Sequence, residues 1–460
     1  MGCNMRCTRK GHAGQHARYL KLNRCQHRTI CLGFTVFQAV FIEVIMNMTT
    51  KSLLVCLSVF FAGCAGIDRG IFAPPQASHA LMQPIGFLDV RFFGDTAPDS
   101  LDDEVDTFAQ RLRAVRREGD GLHILALSGG GPNGAFGAGV MKGWSASGTR
   151  PEFDIVTGIS TGSIIAPFAF LGPDYDDQIG EFYKTARTDA LVRKRFLAGI
   201  FGGGSLYSTA PLKRVIDSVV TPEFVGALAD EYARGRLLLI GTTNMDAERP
   251  VVWNVTEIAS YRSEDARALI RDVILASASI PIMFTPVRFN VTDGTEDFTE
   301  LHADGGLTQE IFTYSPELPV RSYLRRAGLA HRDNRVWVIH NNLINPVYQP
   351  QKTGLRHIGE RTLSTLIKSQ SVGDLQRIAA LAKRDGFSLR AMIMPARFTD
   401  KSRELFDPAY MTRLYAVGEA MGRQPSSWGR KLESLFERDR REGEAAIAAI
   451  NAVQVQLESQ

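Results

Sequence analysis

Three short stretches of this chain carry residues able to do chemistry. In Gly158-Ile159-Ser160-Thr161-Gly162 a serine sits two residues from a glycine on either side, between the apolar run Phe153 to Thr157 and the helix-like run Ser163 to Leu171. Such glycines let the backbone reverse from strand to helix without a side-chain clash, which lifts the hydroxyl into the posture of a nucleophile. Ser128-Gly129-Gly130-Gly131-Pro132-Asn133-Gly134 follows the apolar Leu122 to Leu127 and precedes the helix-like Ala135 to Trp144. A glycine turn at a helix amino terminus gathers unpaired backbone N–H groups at one point, and so favours an anion. In His302-Ala303-Asp304-Gly305-Gly306 a carboxylate beside two glycines can approach a serine hydroxyl and accept its proton.

Two chemistries use a glycine loop of this kind. A dinucleotide enzyme would admit a pyrophosphate at Gly129, Gly131 and Gly134 and use Asp154 on the ribose. An acyl hydrolase would hold the negative oxygen of a tetrahedral intermediate on the same amides. The order of elements favours the second, because Asp154 precedes Ile155-Val156 and falls at the start of its strand rather than at the end. The base is open to two readings. Asp304 can act alone with Ser160, or the order serine, acid, histidine can be completed by His340, with His302 also near Asp304 in sequence. A third reading, a binding lipoprotein that keeps the fold without chemistry, is disfavoured by the intact Ser160, Asp304 and glycine loop.

The elements that must position these groups read as an α/β chain. Leu122 to Leu127 has the continuous apolar character of a buried parallel strand, and Phe153 to Thr157, Arg236 to Thr242, Arg335 to Ile339 and Leu389 to Met394 read as further strands. Val251 to Val255 reads as a hairpin partner of the third across a turn at Met245 to Pro250. Helical spacing predicts helices over Leu206 to Val219, Leu355 to Ala382 with a break near Gly373, Asp407 to Met421, and the charged Leu432 to Leu457. Residues 66 to 100 read as a loose tether with a strand-like piece at Phe87 to Phe93, followed by a helix over Leu101 to Arg117.

Over roughly residues 122 to 422 the chain resembles the patatin-like phospholipase family. The resemblance rests on Gly129-Gly130-Gly131 with Gly134, the elbow around Ser160, the stretch Ala276-Ser277-Ala278-Ser279-Ile280-Pro281 before Phe284 and Pro286, and Asp304-Gly305-Gly306. It implies a three-layer α/β/α fold with a mostly parallel central sheet. It also implies a lipid acyl hydrolase acting on a phospholipid or other lipid ester, with no metal and no cofactor. Position by position, Ser160 is then the nucleophile, Asp304 the base, and Gly129, Gly130 and Gly131 the oxyanion hole, with Gly134, Gly158, Gly162, Gly305 and Gly306 in support. Members often carry arginine or lysine where this chain has Asn133.

The front of the chain differs from the body. All six cysteines lie in the first 64 residues, so the remainder can form no internal disulfide and no thiolate metal cage. Met48-Thr49-Thr50-Lys51, the apolar Leu53 to Phe61 and the ending Phe61-Ala62-Gly63-Cys64 resemble a bacterial lipobox with Cys64 as the lipidated residue. The alternative is a membrane anchor at Ile30 to Met46. On the lipobox reading, 1–47 is an upstream extension, 48–63 a signal peptide, 64–118 the tether and first helix, 119–422 the catalytic domain and 423–460 a charged helix. Ala65 and Gly66 after the cysteine point to the outer membrane facing the periplasm, with inner-membrane anchoring as the alternative. The whole-chain charge of +4 includes a net +6 over residues 1–47, which leaves the body at −2 and gives no reason to propose nucleic acid. Phe196, Leu197, Ile200 and Phe201 beside Arg193, Lys194 and Arg195 read either as a surface loop or as a patch for anionic headgroups.

Overall fold

Buried strands with apolar residues on both faces must be covered on both faces, and that requirement produces the layered architecture seen here. The computed structural model describes residues 72–97, 110, 121–194, 205, 207–346 and 350–458. Segment 1–47, the leader 48–63 with Cys64, the helix expected over Leu101–Arg117 apart from residue 110, and the patch at Arg195, Phe196, Leu197, Ile200 and Phe201 lie outside the described residues.

The strands, in chain order, are β1 (Gln83–Pro84), β2 (Arg91–Phe93), β3 (His123–Leu127), β4 (Ile155–Ile159), β5 (Arg193–Lys194), β6 (Tyr207–Ser208), β7 (Leu237–Asn244), β8 (Arg249–Asn254), β9 (Val287–Thr292), β10 (Asp297–Asp304), β11 (Arg335–His340) and β12 (Ser388–Ile393). The large sheet runs β1-β9-β10-β7-β4-β3-β11-β12, with β8 also on β7 and β2 on β8. Its centre, β7-β4-β3-β11-β12, is parallel. The remaining strands extend it as an antiparallel wing.

Successive side chains along a strand alternate between faces, and the two cores follow that alternation. Leu125, Leu127, Trp337 and Ile339 join the larger core, with the helices Gly134–Ala146, Thr161–Leu171, Glu264–Ser277 and Pro408–Gly422. Ile124, Ala126, Val336 and Val338 point the other way, into a second core with helices Val320–Arg326 and Leu355–Asp385 and the start of helix Leu432–Glu458. The result is the expected three-layer α/β/α arrangement.

Local readings depart from expectation in three places. Leu355–Asp385 is one continuous helix of 31 residues, without a break at Gly373. Gly373 faces open space, and a glycine in a helix interior costs only about 1 kcal/mol, which packing of Leu375, Ile378 and Leu381 outweighs. The tether is tied into the sheet from Gln83 onward. β1 pairs with β9 and β2 with β8, while buried Arg91 donates to the Met82 carbonyl and at 2.5 Å to Glu300. The helix expected from Leu206 starts at Ala210, after the two-residue strand β6.

One helix contact holds the site's foundation. Helix Gly134–Ala146 packs backbone to backbone on Pro408–Gly422, since a Cβ at Gly139 or Gly143 would strike the Tyr415 or Glu419 carbonyl. Gly418 and Gly422 meet the Phe136 and Val140 carbonyls in the same way. Backbone cannot yield as a flexible side chain can. Gly139→Ala is therefore expected to lower unfolding free energy by about 2–3 kcal/mol in a denaturant melt.

Candidate active site

The site forms where two strands share one edge of β7. β8 occupies the other edge over Leu239–Asn244. On the shared edge, β4 pairs as far as Ile159 with Gly241, and β10 takes over with Asp304 opposite Thr242. Ser160, next after Ile159, and Asp304 are thus brought to one junction although they lie far apart in the chain.

The turn at Ser160 is tight. Ser160 adopts φ 53° and ψ −122°, a strained region for a residue with a Cβ. A Cβ at Gly158 would lie 2.5 Å from the Gly162 carbonyl oxygen, and one at Gly162 would strike the Leu127 carbonyl, so both positions need glycine. The Ser160 N–H donates to Ser277 Oγ at 3.0 Å, and that hydroxyl donates to the Gly241 carbonyl at 2.7 Å. Ser163 Oγ donates to the Ser160 carbonyl at 2.6 Å. These bonds pin the bend to β7 and to its own helix.

Asp304 is held from its own turn. Its N–H donates to the Ser279 carbonyl at 3.0 Å, and its Oδ1 accepts the Gly306 N–H at 2.8 Å. Oδ2 accepts no hydrogen bond among the described residues. Ser160 and Asp304 are 5% and 4% exposed. Burial pushes the Asp304 carboxyl up to about 7, while the nearby Ser160 hydroxyl and the Gly306 N–H pull it down.

The glycine loop leaves the end of β3. Gly130 at φ 149° and Gly131 at φ 55° both use backbone regions open to glycine. Gly129 differs from the expectation, because its N–H donates to the Glu310 carbonyl at 3.1 Å. The Gly130 and Gly131 amides have no partner among the described residues. Gly134 begins its helix where a Cβ would strike the Thr161 and Tyr183 hydroxyls, which bond to each other. Gly305 has no room for a Cβ either, which would lie 2.6 Å from the Gly241 carbonyl oxygen.

Asn133, where a cation is usual in the resembling family, joins a neutral amide chain. Tyr410 donates to Asn133 Oδ1 at 2.7 Å, and Asn133 Nδ2 donates to Asn342 Oδ1 at 3.1 Å. Neighbouring Asn341 holds the loop itself, donating to the Ser128 carbonyl at 2.8 Å and accepting the Gly137 N–H at 3.0 Å. Sequence reasoning missed Ser277, Asn341 and Asn342 as supports. The available signal for the asparagines was their place just past the carboxyl end of a central parallel strand, where sites of open α/β sheets collect.

The histidines are engaged elsewhere. His340 bonds to the Asn342 carbonyl and, by a short bond, to Ser371. His302 bonds to Thr242 and Glu300. Both ring nitrogens of each are therefore occupied by groups other than Ser160 and Asp304. Asp154 sits at the opposite end of the sheet from the glycine loop, accepting the His123 N–H at 2.7 Å.

A buried serine on a strained strand-to-helix bend, beside an aspartate and a glycine loop on a parallel sheet, is an arrangement that can support acyl transfer. Residues 125–314 match the family model described as patatin-like phospholipase, so this stretch is similar to a family of lipid-ester hydrolases. Among solved structures the chain is similar to VipD from Legionella pneumophila, at 12% identity over 74% of this chain and 76% of that one, with a TM-score of 0.33. That likeness is too slight to bear on fold or function. No curated protein matches the chain.

Proposed function

We propose that this protein is a lipid acyl hydrolase of the phospholipase A or esterase type, working through Ser160 and Asp304 and a covalent acyl-enzyme. The observation that carries the reading is the meeting of the Ser160 bend with the buried Asp304 carboxyl at the junction of β4 and β10. Ser160 Oγ attacks the ester carbonyl carbon as Asp304 takes its proton. Oγ bonds to the carbon, the carbonyl electrons move onto oxygen, and collapse of the adduct expels the alcohol with a proton from Asp304. Water then cleaves the acyl-enzyme by the same steps. Each amide aimed at the negative oxygen supplies about 3 kcal/mol of transition-state stabilisation, and Gly130 and Gly131 are the donors with amides to spare. Ser160 also stands at the amino terminus of helix Thr161–Leu171, whose positive end favours the developing anion.

A carboxylate of ordinary basicity would be a poor acceptor for a serine proton; one raised to about 7 is suited to neutral pH. The location that accompanies this reading is a bacterial outer membrane facing the periplasm, with Cys64 as the lipidated residue. Among the described residues no helix is long and apolar enough to cross a membrane.

The test is to incubate the full chain with phospholipid vesicles and identify the products by mass spectrometry, alongside labelling with a serine-directed fluorophosphonate. Free fatty acid and lysophospholipid, with labelling at Ser160, are expected; a chain that neither labels nor hydrolyses any lipid ester is a binding protein instead. His340→Ala is expected to keep kcat within about threefold while lowering stability by about 1–3 kcal/mol, since it removes a buried hydrogen-bonded ring. Loss of turnover in folded His340→Ala protein would restore the serine, acid, histidine reading.

A further inference from the structure

Glu310 is a buried carboxyl that the steps above do not use, 2% exposed and six residues after Asp304. Its position is fixed by two glycines from distant parts of the chain. A methyl group added at Gly129 would lie 2.7 and 2.8 Å from its two carboxyl oxygens. One added at Gly306 would lie 2.7 Å from Glu310 Oε2 and 3.0 Å from Asp304 Oδ1, so the two carboxyls flank the same point. The Glu310 side chain thus fills the gap between the glycine loop and the Asp304 turn. Its backbone is held as well, its carbonyl accepting the Gly129 N–H and its N–H donating to Asp374 Oδ2 of helix Leu355–Asp385 at 2.7 Å.

We propose that Asp304 and Glu310 form a carboxyl pair that shares one proton at working pH, with Glu310 holding the proton and Asp304 the charge. On the Ser160 and Asp304 reading, on which this rests, Glu310 is a positioning residue: a neutral plug that keeps water from Asp304 and so keeps it basic. Two carboxyls this close in a dry setting do not both ionise cheaply. The donors decide which one ionises. Asp304 has the Gly306 N–H at 2.8 Å and the neighbouring Ser160 hydroxyl, whereas Glu310 has the Asn342 amide at 3.0 Å. The titratable groups facing Glu310 are Asp304 and Asp374, the latter paired with Arg377 at 3.0 Å. Burial and both negative neighbours push the Glu310 carboxyl well up.

Infrared spectroscopy of the resting wild-type protein carrying isotope-labelled glutamate tests the protonation without any variant and without turnover. A protonated glutamate band at about pH 8, absent in Glu310→Gln, is expected. Its absence from wild type overturns the pair, whether or not the enzyme hydrolyses lipid. The kinetic arm reads the acid limb of the kcat/KM profile. Glu310→Gln is expected to keep kcat within about threefold and to leave the midpoint of that limb in place. Glu310→Ala, which admits water, is expected to drop the midpoint by about one unit or more and activity by about tenfold, the glutamine variant restoring both. A midpoint that falls in Glu310→Gln would mean that Glu310 carried negative charge, and one that stays put in Glu310→Ala would mean that it does not shield Asp304. Either result overturns the proposal. A melting curve for each variant separates these outcomes from loss of folding.

Discussion

Ser160→Ala is expected to lower kcat/KM for a lipid ester by at least about 10³-fold, because removing a nucleophile leaves only binding and the oxyanion donors to accelerate the reaction. A structural serine would give a different result. Ser160 is 5% exposed and loss of its hydroxyl opens little space, so stability should hardly change. Ser160→Gly sharpens the contrast. At φ 53° any side chain is strained, and glycine relieves that strain, so this variant is expected to unfold about 1 kcal/mol less readily than wild type while being equally inactive. Denaturant melts and initial rates on the three proteins check both halves. Near-normal turnover in folded Ser160→Ala would remove Ser160 from the chemistry altogether.

Asp304→Asn is expected to cost about 10³-fold in kcat and to flatten the acid limb of the rate profile, whose wild-type midpoint should fall near pH 7. The same substitution should stabilise the fold at alkaline pH. The native carboxyl binds its proton up to about 7, whereas the unfolded one releases it near its ordinary value of 3.8. Between those values the native chain holds more protons than the unfolded chain, so stability from this group is complete below the lower value and is lost as pH rises towards 7. Above pH 7 wild type carries the full cost of an ionised buried carboxylate, about 4 kcal/mol from a shift of that size, and an asparagine carries none. Unfolding curves of the two proteins at about pH 5 and pH 8 should therefore diverge, the variant gaining at the higher pH by about 2–4 kcal/mol. Equal stability at both would show that Asp304 is not the buried, proton-binding group described here.

The parallel half of the fold was open to reading because its strands are largely apolar runs, and two of them, β3 and β4, end in turns that hold the glycines. In the antiparallel wing the hairpin partner β8 was legible as well, and β9 and β10 were not. β10 carries Glu300 and His302, polar residues that look exposed in sequence and are buried where Arg91 and Thr242 arrive from elsewhere to bond them. The same limit explains the histidines: chain order allows His340 to complete a triad, and only tertiary placement gives its ring to Ser371 and the Asn342 carbonyl. Ser160, Asp304 and the loop were recognisable through their glycines, since those mark local backbone demands. That Gly129 spends its amide on the Glu310 carbonyl, and that the Glu310 side chain is buried against Gly129, depend on contacts across some 180 positions of chain and leave no local trace.

The placement of β11 has a practical consequence. It lies between β3 and β12, so the strand that delivers the glycine loop is an interior strand only because residues 335–340 return to cover its flank. Those residues lie beyond the stretch 125–314 that carries the recognisable motifs. A fragment trimmed to that stretch would present the bare flank of β3 to solvent, ready to stick to another molecule, and would lack Asn341 to staple its loop. The smallest piece able to work on its own is therefore considerably larger than the piece that motif matching would cut out.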